Sequence, residues 1–147
     1  MKSKLLLRIA AVIIFIHSFL HMIGHSGWKQ AADPVAHQVI VQMTGHKFPF
    51  MGVDRSIANY YDGYGYACGI ALFLIAAILF ILAGNLSSEN GLASKIILSI
   101  WITLLFWAAD EWLFFFPFAA ALTFIAGICC MGAYFLLRKA NESVKIQ

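Results

Sequence analysis

From Leu92 to Leu137 the chain carries no charged side chain except Lys95, Asp110 and Glu111. An apolar run of some 45 residues, built as one helix at about 1.5 Å per residue, would extend ~65 Å, roughly twice the hydrocarbon thickness of a bilayer. Two helices fit it, at about 93–109 and 118–137, with a tight turn around Asp110 to Pro117. Two earlier runs, at about 5–24 and 64–84, have the same character. Each of the four approaches the roughly 20 residues that cross a membrane.

Composition supports this reading. The chain is 62% hydrophobic and 12% charged, where soluble domains carry about a quarter charged residues. So few charges do not cover a water-facing surface, whereas a bilayer accepts an apolar one. The expected fold class is therefore all-α, a membrane four-helix bundle forming a single transmembrane domain over residues 1–147. Lys2, Lys4 and Arg8 precede the first apolar run in the manner of a signal peptide. Arg8 interrupts that run, however, and no small-residue cleavage site follows convincingly, so a retained first helix is expected.

The ten Lys and Arg residues, behind a net charge of +3, sit near the ends of the apolar runs. That placement makes them topology signals and leaves nucleic acid a poor explanation for the basic balance. Lys2, Lys4, Arg8, Lys95, Arg138, Lys139 and Lys145 share one side, while Lys29, Lys47 and Arg55 take the other. The positive-inside rule then puts both termini in the cytoplasm and the 26–62 loop outside.

Within that loop, Asp33 and Pro34 supply an N-cap and a first-turn proline for a short amphipathic helix. Val35, Val39, Ile40 and Met43 recur at helical spacing among His37, Gln38 and Gln42, and Gly45 terminates the pattern. Such a helix lies on the membrane surface or caps the bundle. His46 to Gly52 has turn residues and no long period, so it reads as a loop. Ser56 is placed to cap the following helix, and Tyr60, Tyr61, Tyr64 and Tyr66 suit a water interface. Asn85 to Asn90 reads as a connecting loop. Cys68, Cys129 and Cys130 lie inside apolar runs without a C-x-x-C pattern and are expected to be inert thiols.

The chemistry concentrates on the first span. His17, His21 and His25 recur every four residues, a spacing that keeps three side chains within a stripe about 80° wide. The expected topology brings Asp62, at the start of the second span, and Asp110 with Glu111, at the end of the third, to the same outer half. His17, His21, His25, Asp62, Asp110 and Glu111 are therefore the candidate ligand-binding residues. Ionisable groups in membrane spans are costly and usually face partners or water. The opposing possibility is that neutral imidazoles merely hydrogen-bond neighbouring helices, a role worth only ~1 kcal/mol.

Three chemistries suit these groups. His21 and His25 with Asp62 form a candidate set for a divalent metal such as zinc, although the H-E-x-x-H pattern of zinc proteases is absent. A His and a carboxylate in a dry pocket can also move protons within a lipid-soluble substrate, as an isomerase or quinone-linked enzyme requires, with Trp101, Trp107 and Trp112 available as a lining. Haem ligated by two histidines is not expected, because all three intramembrane His lie on one helix.

Three functional expectations follow. The first is a small-ligand or metal pocket formed by His and carboxylates. The second is a scaffold or interaction subunit, motivated by the small-x-x-x-small pair Gly65 and Gly69, with self-association left open. The third is an enzyme acting on a small hydrophobic ligand drawn from the bilayer.

His21-Met22-Ile23-Gly24-His25 on a first helix, Asp62-Gly63-Tyr64-Gly65 opening a second, and four spans overall resemble small bacterial four-helix membrane proteins of unknown function. These are loosely similar to the DoxX-like families. The resemblance covers most of the chain and implies a compact bundle in the bacterial cytoplasmic (inner) membrane, with no reaction attached.

Overall fold

The computed structural model describes residues 2–86 and 91–144, with side chains through residue 140. Residues 87–90 of the expected connecting loop and Lys145 lie outside the described residues. The elements in chain order are α1 (Lys2–Ser26), α2 (Pro34–Gly45), β1 (Lys47–Phe50), β2 (Val53–Ser56), α3 (Ile57–Asn85), α4 (Gly91–Phe114) and α5 (Pro117–Val144). Among the described residues, α1, α3, α4 and the Pro117–Ala140 part of α5 are long and apolar enough to cross a membrane. The expected class of an all-α, multi-pass membrane protein is the one observed.

Contacts divide the chain into two compact units, Met1–His17 with Leu72–Gln147, and Ser18–Ala71. In the first unit, one stripe of each helix is buried. It comprises Leu7, Ala10, Ala11 and Ile14 on α1, Leu72, Ala76, Leu79 and Ala83 on α3, Ala93, Ile97, Ile100, Leu104 and Ala108 on α4, and Ala119, Ala120, Ala126, Cys130, Ala133 and Leu137 on α5. The steps of three and four residues are those of one helix face. Alanine dominates inside, while Phe15, Phe73, Phe80, Phe106 and Phe124 stand exposed. Small residues inside and large ones outside are what a bilayer selects, because lipid supplies no hydrophobic drive between helices and close van der Waals packing must do so instead.

The α4–α5 connection is shorter than expected. Helix α4 continues to Phe114 rather than ending near Ala109, and Phe115 and Phe116 alone join it to Pro117, the first residue of α5. Adjacent acidic residues read as a turn in sequence; here both are helical, and the turn begins after them. Proline at the first position of α5 has no N–H to leave unsatisfied and holds a helical φ.

In the second unit, α2 has the expected bounds. Asp33 caps it by accepting the Ala36 N–H at 2.7 Å, and Gly45 is its last residue. No α2 residue is buried; Ala36, Ile40 and Met43 are half-buried, and Val35 and Val39 are exposed.

The segment expected to be a loop at 46–52 forms part of a β-hairpin, in which Lys47 pairs with Ser56 and Phe50 with Val53. Met51 (φ 48°) and Gly52 (φ 83°) make its two-residue turn, both in the left-handed region that matches the twist of a hairpin. Met-Gly in place of Asn-Gly, together with Pro49 inside a four-residue strand, concealed it. Helix α3 begins at Ile57, directly after Ser56 as the expected cap implies and seven residues ahead of the apolar span expected from Tyr64; Ser56 and Asn59 cap it reciprocally. Ser56 Oγ accepts the Asn59 N–H at 3.3 Å, and Asn59 Oδ1 accepts the Ser56 N–H at 2.9 Å.

Candidate functional site

Continuing the core stripes of the first unit by one helical step on α1 reaches His17, three residues beyond Ile14; on α4 it reaches Glu111, three beyond Ala108. Thr123 fills the α5 position between Ala120 and Ala126. All three are buried. His17 Nε2 lies 3.3 Å from Glu111 Oε1, with side chains 5% and 6% exposed. On the other edge of the ring, Nδ1 is 3.1 Å from Thr123 Oγ1. Glu111 Oε2 is also buried and has no hydrogen-bond partner among the described residues, while Trp107 and Thr123 flank the carboxyl group.

The imidazole thus bridges a carboxyl and a hydroxyl, and the proton count decides the direction of both bonds. With Glu111 ionised and His17 neutral, Nε2–H donates to the carboxylate and Thr123 O–H donates to Nδ1. A proton added to the imidazole leaves Nδ1 carrying hydrogen, so that it donates to the Thr123 oxygen instead. The hydroxyl proton must then turn elsewhere, and a helical threonine can donate to a carbonyl in its own preceding turn. Protonation of the His17 ring therefore reverses its hydrogen bond with Thr123 on α5.

Asp110, expected beside Glu111 in the pocket, is exposed. One residue turns a helix by about 100°, so two adjacent carboxylates do not both lie on the buried face. Thr123 was not among the expected residues; its place three residues after Ala120 and three before Ala126, on the face that Cys130, Ala133 and Leu137 continue, was the available signal.

The second unit holds a separate group. His21 Nε2 donates to the Gly65 carbonyl at 2.9 Å, and Ser18 Oγ donates to the Gly69 carbonyl at 2.8 Å. A side chain on Gly65 would run into the His25 ring and one on Gly69 into Met22. The two glycines are thus occupied by α1 of the same chain, which removes the observation that motivated an intermolecular role for them. His25 is 8% exposed, packed edge-on against Tyr66 at 5.0 Å and stacked parallel to His21 at 6.0 Å. Its Nε2 is 3.8 Å from Asp62 Oδ1 and has no hydrogen-bond partner among the described residues. Asp62 is committed elsewhere: Trp28 Nε1 donates to Oδ1 at 2.7 Å and Lys29 Nζ to Oδ2 at 2.6 Å. Neither Trp28 nor Lys29 was singled out as a functional residue from sequence, since each lies beyond the regular part of α1.

The zinc set expected of His21, His25 and Asp62 does not assemble as ligands. His21 presents its ring nitrogen to a backbone carbonyl, and no group of three His, Cys, Asp or Glu among the described residues is arranged to hold a metal ion. His37 and His46 are exposed. Of the expected tryptophan lining, Trp107 adjoins Glu111, Trp101 is half-buried and Trp112 is exposed. No family model, curated protein or solved structure matches this chain.

Proposed function

We propose that this chain is a multi-pass protein of the bacterial cytoplasmic membrane that binds and releases a proton at the buried Glu111–His17–Thr123 relay, and that its function is coupled to that proton. The carrying observation is the 3.3 Å approach of His17 Nε2 to Glu111 Oε1 between almost fully buried side chains on two apolar helices. Ionisable groups at such depth are costly, and proton relays are among the uses that retain them. A proton is the smallest ligand that a His and carboxylate pocket can take, and the pair has two basic sites between which to hold it. The assignment to a bacterial inner membrane with cytoplasmic termini rests on the DoxX-like resemblance and on the uneven distribution of Lys and Arg.

An enzyme acting on a lipid-soluble substrate would use the same relay, with Glu111 Oε2 as the atom left free to face it. A scaffold subunit would use the cluster only to hold helices together. Infrared titration of the protein in lipid vesicles separates these uses from a structural one. The expected result is a carboxyl band that titrates in the wild type, is lost in Glu111→Gln and is displaced in Thr123→Val. A wild-type spectrum in which no carboxyl band titrates, or a titrating band unaltered by Glu111→Gln, overturns the proposal. In vesicles carrying a pH-sensitive dye, proton entry after an external acid jump should also fall in Glu111→Gln.

A further inference from the structure

Within the second unit, Tyr60, Gly63, Tyr64 and Ala67 follow one another along a single face of α3, and with Arg55 and Asn59 they line an open groove of about 320 Å³. Gly63 leaves the floor of the groove open: a Cβ added there would meet nothing within 4 Å. Tyr64 stands 75% exposed beside it, and Ile57 and Ile70 on the same helix are exposed too. This is a predominantly apolar channel opening from a helix long and apolar enough to cross a membrane. Tyrosines flank it near the helix start, where amphipathic rings sit at headgroup level.

Arg55 supplies the charge. It is exposed, and its only described hydrogen bond runs from Nη1 to the neighbouring Asp54 carbonyl at 3.1 Å. Among the described residues no carboxylate forms an ion pair with it, and Asp62 is engaged by Lys29 and Trp28. A guanidinium presents a planar fork of five donors, most of them still open here, and that fork matches the oxygens of a phosphate. A cation at the mouth of an apolar groove calls for a ligand with an anionic head joined to a hydrocarbon chain.

We propose that this groove is a binding site for one anionic phospholipid of the surrounding bilayer, its phosphate on Arg55 and an acyl chain laid over Gly63 and Ala67 between Tyr60 and Tyr64. The site is independent of the proton relay and uses none of its residues. Its specificity comes from charge at the head, because the apolar floor accepts any acyl chain, whereas a zwitterionic lipid brings a second cation toward Arg55.

The test is native mass spectrometry of the full chain taken from vesicles of equal phosphatidylglycerol and phosphatidylcholine. Wild type should retain phosphatidylglycerol in preference. Arg55→Gln should lower that preference about tenfold, the loss of one charge-assisted contact, and Arg55→Lys should keep most of it. Gly63→Phe, which fills the groove, should abolish retention of both lipids. Equal retention of the two lipids by wild type, or phosphatidylglycerol retention unchanged in Arg55→Gln, overturns the site. If Gly63→Phe fails to fold, the two Arg55 variants decide the matter alone, because that side chain is exposed and its loss leaves the helices intact.

Discussion

His17 on α1 and Glu111 on α4 meet at 3.3 Å with their side chains almost wholly removed from solvent, and Thr123 on α5 closes the opposite edge of the imidazole at 3.1 Å. Three helices thereby share one polar junction inside an otherwise apolar unit. Such a junction can serve to fasten helices or to hold a proton, and the two roles leave different experimental traces.

Removing one member should strand the others. Glu111→Ala leaves a buried imidazole without its acidic partner and is expected to cost about 2 kcal/mol, between the 3 to 5 typical of broken buried pairs in water-soluble proteins and the ~1 found for polar contacts in membranes. Unfolding in mild detergent, run as a double-mutant cycle with His17→Ala, should give a coupling of about 1 kcal/mol or more. Additive effects of the two substitutions would mean that the pair does not interact.

Thr123→Val keeps the shape of the side chain and removes the hydroxyl. The loss in stability should be small, about 1 kcal/mol, whereas replacing Ser99, whose exposed hydroxyl donates to the Lys95 carbonyl of its own helix, should change almost nothing. A Thr123→Val protein as stable as wild type would sever α5 from the junction.

Glycines on α3 should separate into two classes. Gly65→Ala drives a methyl group into the buried His25 ring, held between His21 and Tyr66, and is expected to cost about 2 to 3 kcal/mol. Gly69→Ala meets the flexible end of Met22 and should cost less. Gly63→Ala meets nothing and should be neutral or stabilising by up to ~1 kcal/mol, the ordinary helix preference of alanine over glycine. Melting curves of the three variants check the order; equal effects would contradict the close approach at Gly65.

Asp62 should act as a clasp for the segment that follows α1. Asp62→Asn weakens charge-assisted bonds from Trp28 and Lys29 and is expected to lower stability by about 1 to 2 kcal/mol. Lys29→Ala, on a half-exposed side chain, should cost no more than a few tenths of a kcal/mol. In a background where Trp28 is the sole tryptophan, its fluorescence should shift to the red in Asp62→Asn. An unshifted spectrum would show that the indole is held without the carboxylate.

At the hairpin turn, Met51 holds a φ of 48° that L side chains adopt reluctantly. Met51→Asn, a residue tolerant of that region, should tighten the turn by about 0.5 kcal/mol, and Gly52→Val should loosen it by more than 1 kcal/mol. Cross-strand amide contacts between Phe48 and Arg55 in NMR spectra report both changes.

Much of the fold was legible along the chain. The four spans, the cap of α2 at Asp33, its end at Gly45 and the cap of α3 at Ser56 followed from apolar length and capping chemistry, which act over a few residues. The hairpin was not legible, because its turn lacks the usual residues and its strands are too short for an alternating pattern to stand out. The polar residues were recognised in kind but not in grouping. His17 goes with Glu111 and Thr123, His21 with Gly65, and Asp62 with Trp28 and Lys29, whereas Asp110 joins none of these groups.

The length and apolarity of each run determined, without any tertiary knowledge, how many helices are long enough to cross a bilayer, since a backbone in lipid must satisfy its hydrogen bonds within the helix, and the four-residue spacing of His17, His21 and His25 determined that they share a stripe. Only the tertiary structure decided which of Asp110 and Glu111 faces inward and which imidazole meets which acid. The choice depends on helix rotation, about 100° per residue, and a helix apolar on every side carries little preference for one rotation over another. Packing between alanine faces settles it, and that is a property of several helices at once.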